Sequence, residues 1–385
     1  MAKQLKTKRQ SSRYSAKLQQ PLRWFWRGLL RYWHRHWLLK ILIVLAALII
    51  MSVSGMYGIA RWYMAVQSSK PLVLGASFIP GYAQGFGVDP HKTLEAMLTD
   101  LNIKHLRLVG YWSDIEKTPG QYDFKELDWE FAQANEHGAK VSLSLGLRQP
   151  RWPECHMPDW AAQQPKDEWQ PQLASFIKKV VERYRDNPAL DTYQLENEYF
   201  LKAFGICPDF SRDRLISEYN IVKRADPQHP VIIARSNNAL GTPINEPTPD
   251  AFGVSVYKRV WDRTITKRYV EYPFPAWFYA FLAGTEKIIK GRDTVIHELQ
   301  AEPWPPNGQD IIHTPLAEQD KSLNAVRLQG RFEYGISTGM KQIDLWGAEY
   351  WYYRKEVLHD PSVWNVAKNE YQKAAEANQQ LTERH

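Results

Sequence analysis

The chain has 385 residues, 44% of them hydrophobic and 24% charged, a balance that excludes a disordered, collagenous or disulfide-scaffold protein. Its two cysteines are too few for a four-thiolate zinc site. The net charge of +7 is concentrated: eleven of the 49 Lys and Arg lie between Lys3 and Lys40, and no acid precedes Asp89. Residues 41–385 then hold 38 bases against 42 acids, so no basic domain face is left for a nucleic-acid backbone.

The first forty residues form a basic arm. Arg23, Arg27, Arg31 and Arg35 recur every fourth residue beside Trp24, Leu30, Trp33 and Trp37, a pattern that suits either an interfacial helix on anionic lipid or an unstructured tail serving topology. Ile41 to Ala60 follows without a charge between Lys40 and Arg61, long enough to span a bilayer core, which needs about 20 apolar residues. Gly58-Ile59-Ala60 resembles a cleavage site, but the preceding region is far longer than an ordinary secretory leader. The segment reads as an uncleaved transmembrane anchor. The positive arm sets the N-terminus in the cytoplasm, with residues 61–71 as a linker and the rest outside, in the periplasm or at the cell surface of an inner-membrane protein.

From Leu72 short β-branched runs alternate with helical stretches to the end of the chain. Strands are expected to begin near Val73, His105, Lys140, Asp191, Pro230, Phe252, Thr294 and Gln342. Asp89-Pro90 and Ser211 start helices, and Gly138 and Gly291 stop them. Only about twenty residues separate the fifth and sixth strands, which leaves little room for a crossover helix. Eight strand-helix alternations predict a (β/α)₈ TIM barrel over residues 72–385, ending in a helical tail. A doubly wound sheet is disfavoured because Gly81 to Gly87 lacks the G-x-G-x-x-G order. Phe274 to Leu282 is too short to cross a membrane and reads as a barrel helix face.

Cys155 follows the third strand and Cys207 the fourth. Loops after consecutive barrel strands emerge side by side, so an oxidising location favours a Cys155–Cys207 disulfide closing a loop of about fifty residues. Such a bridge is worth up to roughly 4 kcal/mol on the chain-entropy view.

In a barrel of this kind catalytic groups stand at the carboxyl ends of strands. Two acids qualify: the fourth strand runs Thr192-Tyr193-Gln194-Leu195 into Glu196-Asn197-Glu198-Tyr199, and the seventh Thr294-Val295-Ile296-His297 into Glu298-Leu299-Gln300. Asn-Glu also occurs at residues 135, 245 and 369, but only the copy at Asn197 follows a strand pattern.

With these residues the chain resembles clan A of the retaining glycoside hydrolases, (β/α)₈ enzymes that include cellulases, xylanases and β-galactosidases. The run Arg107, Trp112, Glu116, Gly120, Tyr122-Asp123-Phe124 and Leu127-Asp128 is similar to one in that clan. Gln194 to Tyr199 resembles the Q-x-E-N-E-Y of β-galactosidase-type members, and Glu298 with Gln300 the E-x-Q of another β-galactosidase group. Phe200 and Arg235-Ser236-Asn237 depart from those patterns and leave the substrate open.

The resemblance implies an enzyme that hydrolyses O-glycosyl bonds of a cell-surface or exported carbohydrate by double displacement. Glu198 is then the acid/base and Glu298 the nucleophile; Asn197 binds the sugar, Arg107 and Tyr257 steady the nucleophile, Gln300 joins the substrate site, and Trp346 floors it. A carboxyl separation of about 5 to 5.5 Å goes with retention. Neither metal nor organic cofactor is required, and the expected partners are carbohydrate and membrane lipid. A transglycosylase would use the same residues, whereas a noncatalytic glycan-binding barrel would lack one of the two acids. Glu196, Glu302 and Glu349 also stand near strand ends, as do Trp112, Trp152, Trp160, Trp261, Trp304, Trp346 and Trp351; about half of these rings are expected to be loop packing.

Overall fold

The computed structural model describes residues 37–199, 205–236 and 247–383. The arm pattern at Arg23 to Arg35, Phe200, and most of the connection between the fifth and sixth strands lie outside the described residues. The chain divides into two compact units, Met1–Gly58 and Ile59–His385.

In the first unit the described residues belong to helix α1 (Trp37–Gln67). It is the one helix among the described residues long and apolar enough to cross a membrane. Leu42, Ile49 and Ile50 expose their side chains, the surface expected of a helix meant for an apolar surrounding. The helix runs on through Gln67, into the segment that the sequence reading assigned to a linker.

The second unit is a closed parallel barrel. Its strands in order are β1 (Val73–Ser77), β2 (His105–Val109), β3 (Lys140–Leu145), β4 (Leu190–Leu195), β5 (Val231–Arg235) and β6 (Ala251–Val256), then β9 (Asp293–Gln300) and β10 (Gln342–Trp346), which pairs back onto β1. Between β6 and β9 an antiparallel hairpin, β7 (Arg259–Trp261) with β8 (Tyr269–Glu271), sits over the barrel mouth. The alternating Arg259-Val260-Trp261 and Tyr269-Val270-Glu271 carry that hairpin, which the sequence reading did not separate from the barrel strands.

The crossover helices begin where their caps dictate. The Asp89 carboxylate accepts from the His91 and Lys92 amides ahead of α2 (Pro90–Thr99), and Ser211 Oγ accepts from the Arg214 amide ahead of α5 (Arg212–Ala225); both satisfy first-turn donors that lack helical partners. Between them run α3 (Lys125–Glu136) and α4 (Lys166–Tyr184). Helix α6 (Ala276–Lys290) stops at left-handed Gly291; α7 (Ala325–Ile336) and α8 (Ser362–Glu383) complete the ring. The apolar run from Phe274 supplies α6, which buries Tyr279, Ala280 and Leu282 against the barrel.

The last turns of α1 belong to this second unit. Ala60 and Tyr63 have no exposed surface, and an added Cβ at Gly284 of α6 would lie 2.8 Å from Ile59 and 3.1 Å from Tyr63. The Gln67 amide nitrogen donates to Asp293, 2.7 Å away, and Lys70 pairs with the same carboxylate. This contact is at the amino end of β9, opposite the end that carries Glu298.

Candidate active site

The carboxyl ends of the strands enclose a cleft of ≈ 500 Å³ whose walls include Glu154, Glu198, Glu298, Tyr257 and Trp346. Arg107, buried in the middle of β2, organises its floor. Its guanidinium donates to Glu298 Oε1 at 2.9 Å, Asn197 Oδ1 at 2.9 Å and Gln194 Oε1 at 2.6 Å. Tyr257 Oη donates to the other Glu298 oxygen at 2.8 Å. Both oxygens of Glu298 therefore accept from fixed donors, which hold the carboxylate in one orientation. Burial, with the charge of Glu298 next, raises the Tyr257 phenol well above its ordinary value, so it stays a neutral donor. His297 is held far below its usual value by burial and then by Arg107.

Glu198 has the opposite environment. Burial first, and then the negative charge of Glu298, push its carboxyl up to about 7, against the lowering effect of the Ser255 and Ser236 hydroxyls. One carboxyl gripped by two donors and the other inclined to hold its proton is an arrangement that suits a nucleophile and an acid acting together.

Asn197 is locked between two groups, with Oδ1 accepting from Arg107 and Gln194 and Nδ2 donating to Glu154 Oε2 at 2.9 Å. Glu154 is a third buried acid of the cleft, which the sequence reading missed. Burial raises it to about 8, and Glu298 and Glu198 add to the rise. It stands in Trp152-Pro153-Glu154-Cys155, where Arg151 and Glu154 both take a left-handed backbone, φ 78° and 72°. Non-glycine residues held there cost energy and concentrate at functional sites. Only the neighbouring Trp152 and Cys155 marked this loop in the sequence.

Cys155 and Cys207 are bonded, with Cα atoms 5.1 Å apart. The bridge, with the Ile206 amide donating to Pro153 O at 3.0 Å, fastens the loop bearing Glu154 to the one after β4. Intact mass of unreduced protein is expected to lack alkylation at both cysteines and to gain two labels after reduction; two labels without reductant would contradict the bridge.

Gln300 is a correction. It has no exposed surface; its Oε1 accepts from the Lys258 and Arg259 amides at 2.9 Å each and its Nε2 donates to Arg259 O at 2.7 Å. With its polar atoms committed to backbone, it holds the base of the β7–β8 hairpin beside Tyr257 rather than meeting a sugar. Trp346 does line the cleft, but the Arg151 guanidinium lies over its ring, 3.9 Å from the centroid.

The remaining acids divide clearly. Glu116 accepts from Trp112 Nε1 and the Gly120 amide, both at 2.7 Å, so the W-x-x-x-E-x-x-x-G part of the run after β2 is a structural clasp. Glu302 pairs with Arg151, and one oxygen of buried Glu349 accepts from the Ile79 amide at 2.8 Å. Glu196 is fully buried under Arg214 and accepts from the Leu147 amide at 2.6 Å, a scaffold for the turn after β3. That turn leaves no space at Gly146, where φ is +114° and an added Cβ would lie 2.3 Å from Glu196 Oε1. Gly146→Ala is expected to lower stability by about 3 kcal/mol through backbone strain and a disturbed buried pair, read as a fall in the denaturation midpoint. Of the seven tryptophans near strand ends, Trp152, Trp261, Trp304 and Trp346 line the cleft. Trp112, Trp160 and Trp351 instead donate to Glu116 Oε2, Glu116 O and Ala301 O.

No family model matches the chain. No curated protein matches it either. Solved structures do. A β-galactosidase from the haloarchaeon Halorubrum lacusprofundi aligns over 78% of this chain and 58% of its own, at 16% identity and a TM-score of 0.53. Xylanase 10B of Thermotoga maritima aligns over 80% and 98%, at 14% identity and a TM-score of 0.51. A cold-adapted β-galactosidase from a Rahnella species aligns over 80% and 56%, at 12% and 0.51. The chain thus spans less than two thirds of both β-galactosidases, and the likeness to all three is one of fold.

Among the described residues no cluster of His, Cys, Asp and Glu is arranged to hold a metal ion.

Proposed function

We propose that the chain is a membrane-anchored retaining β-glycosidase acting outside the cytoplasm on a cell-surface or exported oligo- or polysaccharide. The observation that carries this reading is the pair Glu198 and Glu298 in one cleft. Glu298 is held by Arg107 and Tyr257, while Glu198 is inclined to keep its proton. Glu298 Oε attacks the anomeric carbon as Glu198 gives its proton to the departing oxygen, leaving a glycosyl ester on Glu298. Glu198, now a carboxylate, takes a proton from water as that water attacks the ester and frees Glu298. The fold neighbours, a β-galactosidase and a xylanase, agree with a sugar substrate.

The test is a screen of the detergent-solubilised full chain against 4-nitrophenyl β-glycosides, with mass analysis of products. Release of nitrophenol with retained configuration supports the reading; a folded protein that binds oligosaccharide yet cleaves none would identify a glycan-binding barrel. Products carrying the sugar on a second sugar instead of water would identify a transglycosylase.

The anchor rests on α1 and the basic arm. A reporter fused after Lys70 is expected to be active only where the reporter works outside the cytoplasm. A mature chain beginning at Arg61 would establish a cleaved leader instead.

A further inference from the structure

We propose that Arg151, clamped by Glu302 between Tyr82 and Trp346, closes one end of the cleft and limits the substrate to a single terminal sugar on the glycone side. The inference deepens the glycosidase reading and rests on it.

The Arg151 guanidinium lies 3.3 Å from the ring centroid of Tyr82 and 3.9 Å from that of Trp346. Two of its nitrogens donate to the two oxygens of Glu302, at 2.6 and 2.9 Å, and Tyr82 Oη donates to Glu302 Oε2 at 2.9 Å. A planar cation between two rings with a forked carboxylate partner is a well-determined arrangement. Only 15% of the Arg151 side chain and 7% of that of Glu302 are exposed. The left-handed backbone at Arg151, φ 78°, aims the side chain across the mouth.

This stack stands at a boundary. On one side is the catalytic cleft, walled by Arg151, Trp346, Glu198 and Glu298. On the other is a second cavity of ≈ 480 Å³, lined by Tyr82, Phe86, Ile311 and Ile312. Glu302 and Trp304 line both. Arg151 lines the catalytic cleft, and its partner Glu302 lines both spaces, so the clamped pair stands where they adjoin.

Direction follows from the chemistry. Glu198 protonates the leaving oxygen, so the aglycone lies toward the end of β4. The ring attacked by Glu298 occupies the side of β9 and β10, and its distal hydroxyls face β1 and β10, where Tyr82 and Trp346 hold Arg151. A chain continuing beyond that ring meets the guanidinium. Admitting it requires breaking the Arg151–Glu302 pair, and leaving the mostly buried Glu302 carboxylate without its cation is costly. The enzyme inferred here trims from a non-reducing end.

The experiment uses the solubilised full chain and whichever of 4-nitrophenyl β-D-galactoside, β-D-glucoside or β-D-xyloside it cleaves. The comparison is the 4-nitrophenyl disaccharide bearing the same sugar added at its 4-position. The unsubstituted protein is expected to release one monosaccharide first, and no free disaccharide. The double variant Arg151→Ala with Glu302→Gln, which removes the cation without stranding its partner, is expected to release disaccharide directly. Its disaccharide-to-monosaccharide ratio of kcat/KM should rise by about tenfold or more. Intact disaccharide as a first product of the unsubstituted protein overturns the inference and leaves the glycosidase reading standing, even if the variant does not fold. A folded variant with an unchanged ratio, or inactive on both substrates, overturns it too, because Arg151 would then hold the site rather than bound it. Failure of the unsubstituted protein on every monosaccharide and disaccharide glycoside removes the glycosidase reading, and this inference with it.

Discussion

Glu298→Ala is expected to abolish turnover, with a loss on the order of 10⁴-fold or more, the scale of deleting an essential member of a catalytic unit. The substitution removes the atom that forms the bond to the anomeric carbon and leaves Arg107 and Tyr257 aimed at an empty position. A small anion fits that position. Added azide is expected to restore turnover of an activated aryl glycoside and to yield a glycosyl azide of inverted configuration, because only one displacement then occurs. Product configuration by proton NMR decides the matter. If Glu302→Ala gives the azide product while Glu298→Ala stays active, the nucleophile is Glu302.

Replacing Glu198 by Gln is expected to cost roughly 10²- to 10⁴-fold on substrates with poor leaving groups, the usual range for a general acid. It should cost far less for the glycosylation of Glu298 by dinitrophenyl glycosides, whose leaving groups need no proton. The pH dependence has a definite sign. The carboxyl of Glu198 is raised to about 7 by burial and by the charge of Glu298, and its protonated form is the one that donates. Turnover of poor leaving groups should therefore fall as pH rises through about 7, and Glu198→Gln should erase that limb. Equal losses across leaving groups, or an unchanged alkaline limb in the variant, would count against the acid role.

Much of this architecture was legible in the sequence because parallel barrel strands are buried on both faces. Runs such as Val231-Ile232-Ile233-Ala234 and Thr294-Val295-Ile296 stand out as apolar or β-branched stretches, and every barrel strand begins within one residue of its expected start. The two acids were findable because strand ends are where such a barrel displays chemistry. Glu154 and Arg151 were not: both come from a loop whose left-handed backbone turns side chains inward, and no periodicity encodes that. Gln300 shows the converse hazard. Its position at a strand end suggested substrate, but a neighbouring hairpin that the strand pattern did not reveal consumes its polar atoms. The extent of α1 was not legible either, since Arg61 ends the apolar run but not the helix.

That helix places a limit on any shortened version of the protein. The compact unit that holds the barrel starts at Ile59, not at the first barrel strand, and within it Tyr63 fills a slot shaped by the missing side chain of Gly284 and Met64 sits against Gly339. A chain pared back to Leu72 would uncover these apolar seats and take Gln67 and Lys70 from Asp293, leaving Lys287 as its remaining cation. Processing after Ala60 would likewise cut through the barrel's own packing, parting Ile59 from Tyr63 on either side of the Gly284 seat. Helix α1 thus ends as masonry of the barrel, and any shortened version calls for its final two turns to be left intact.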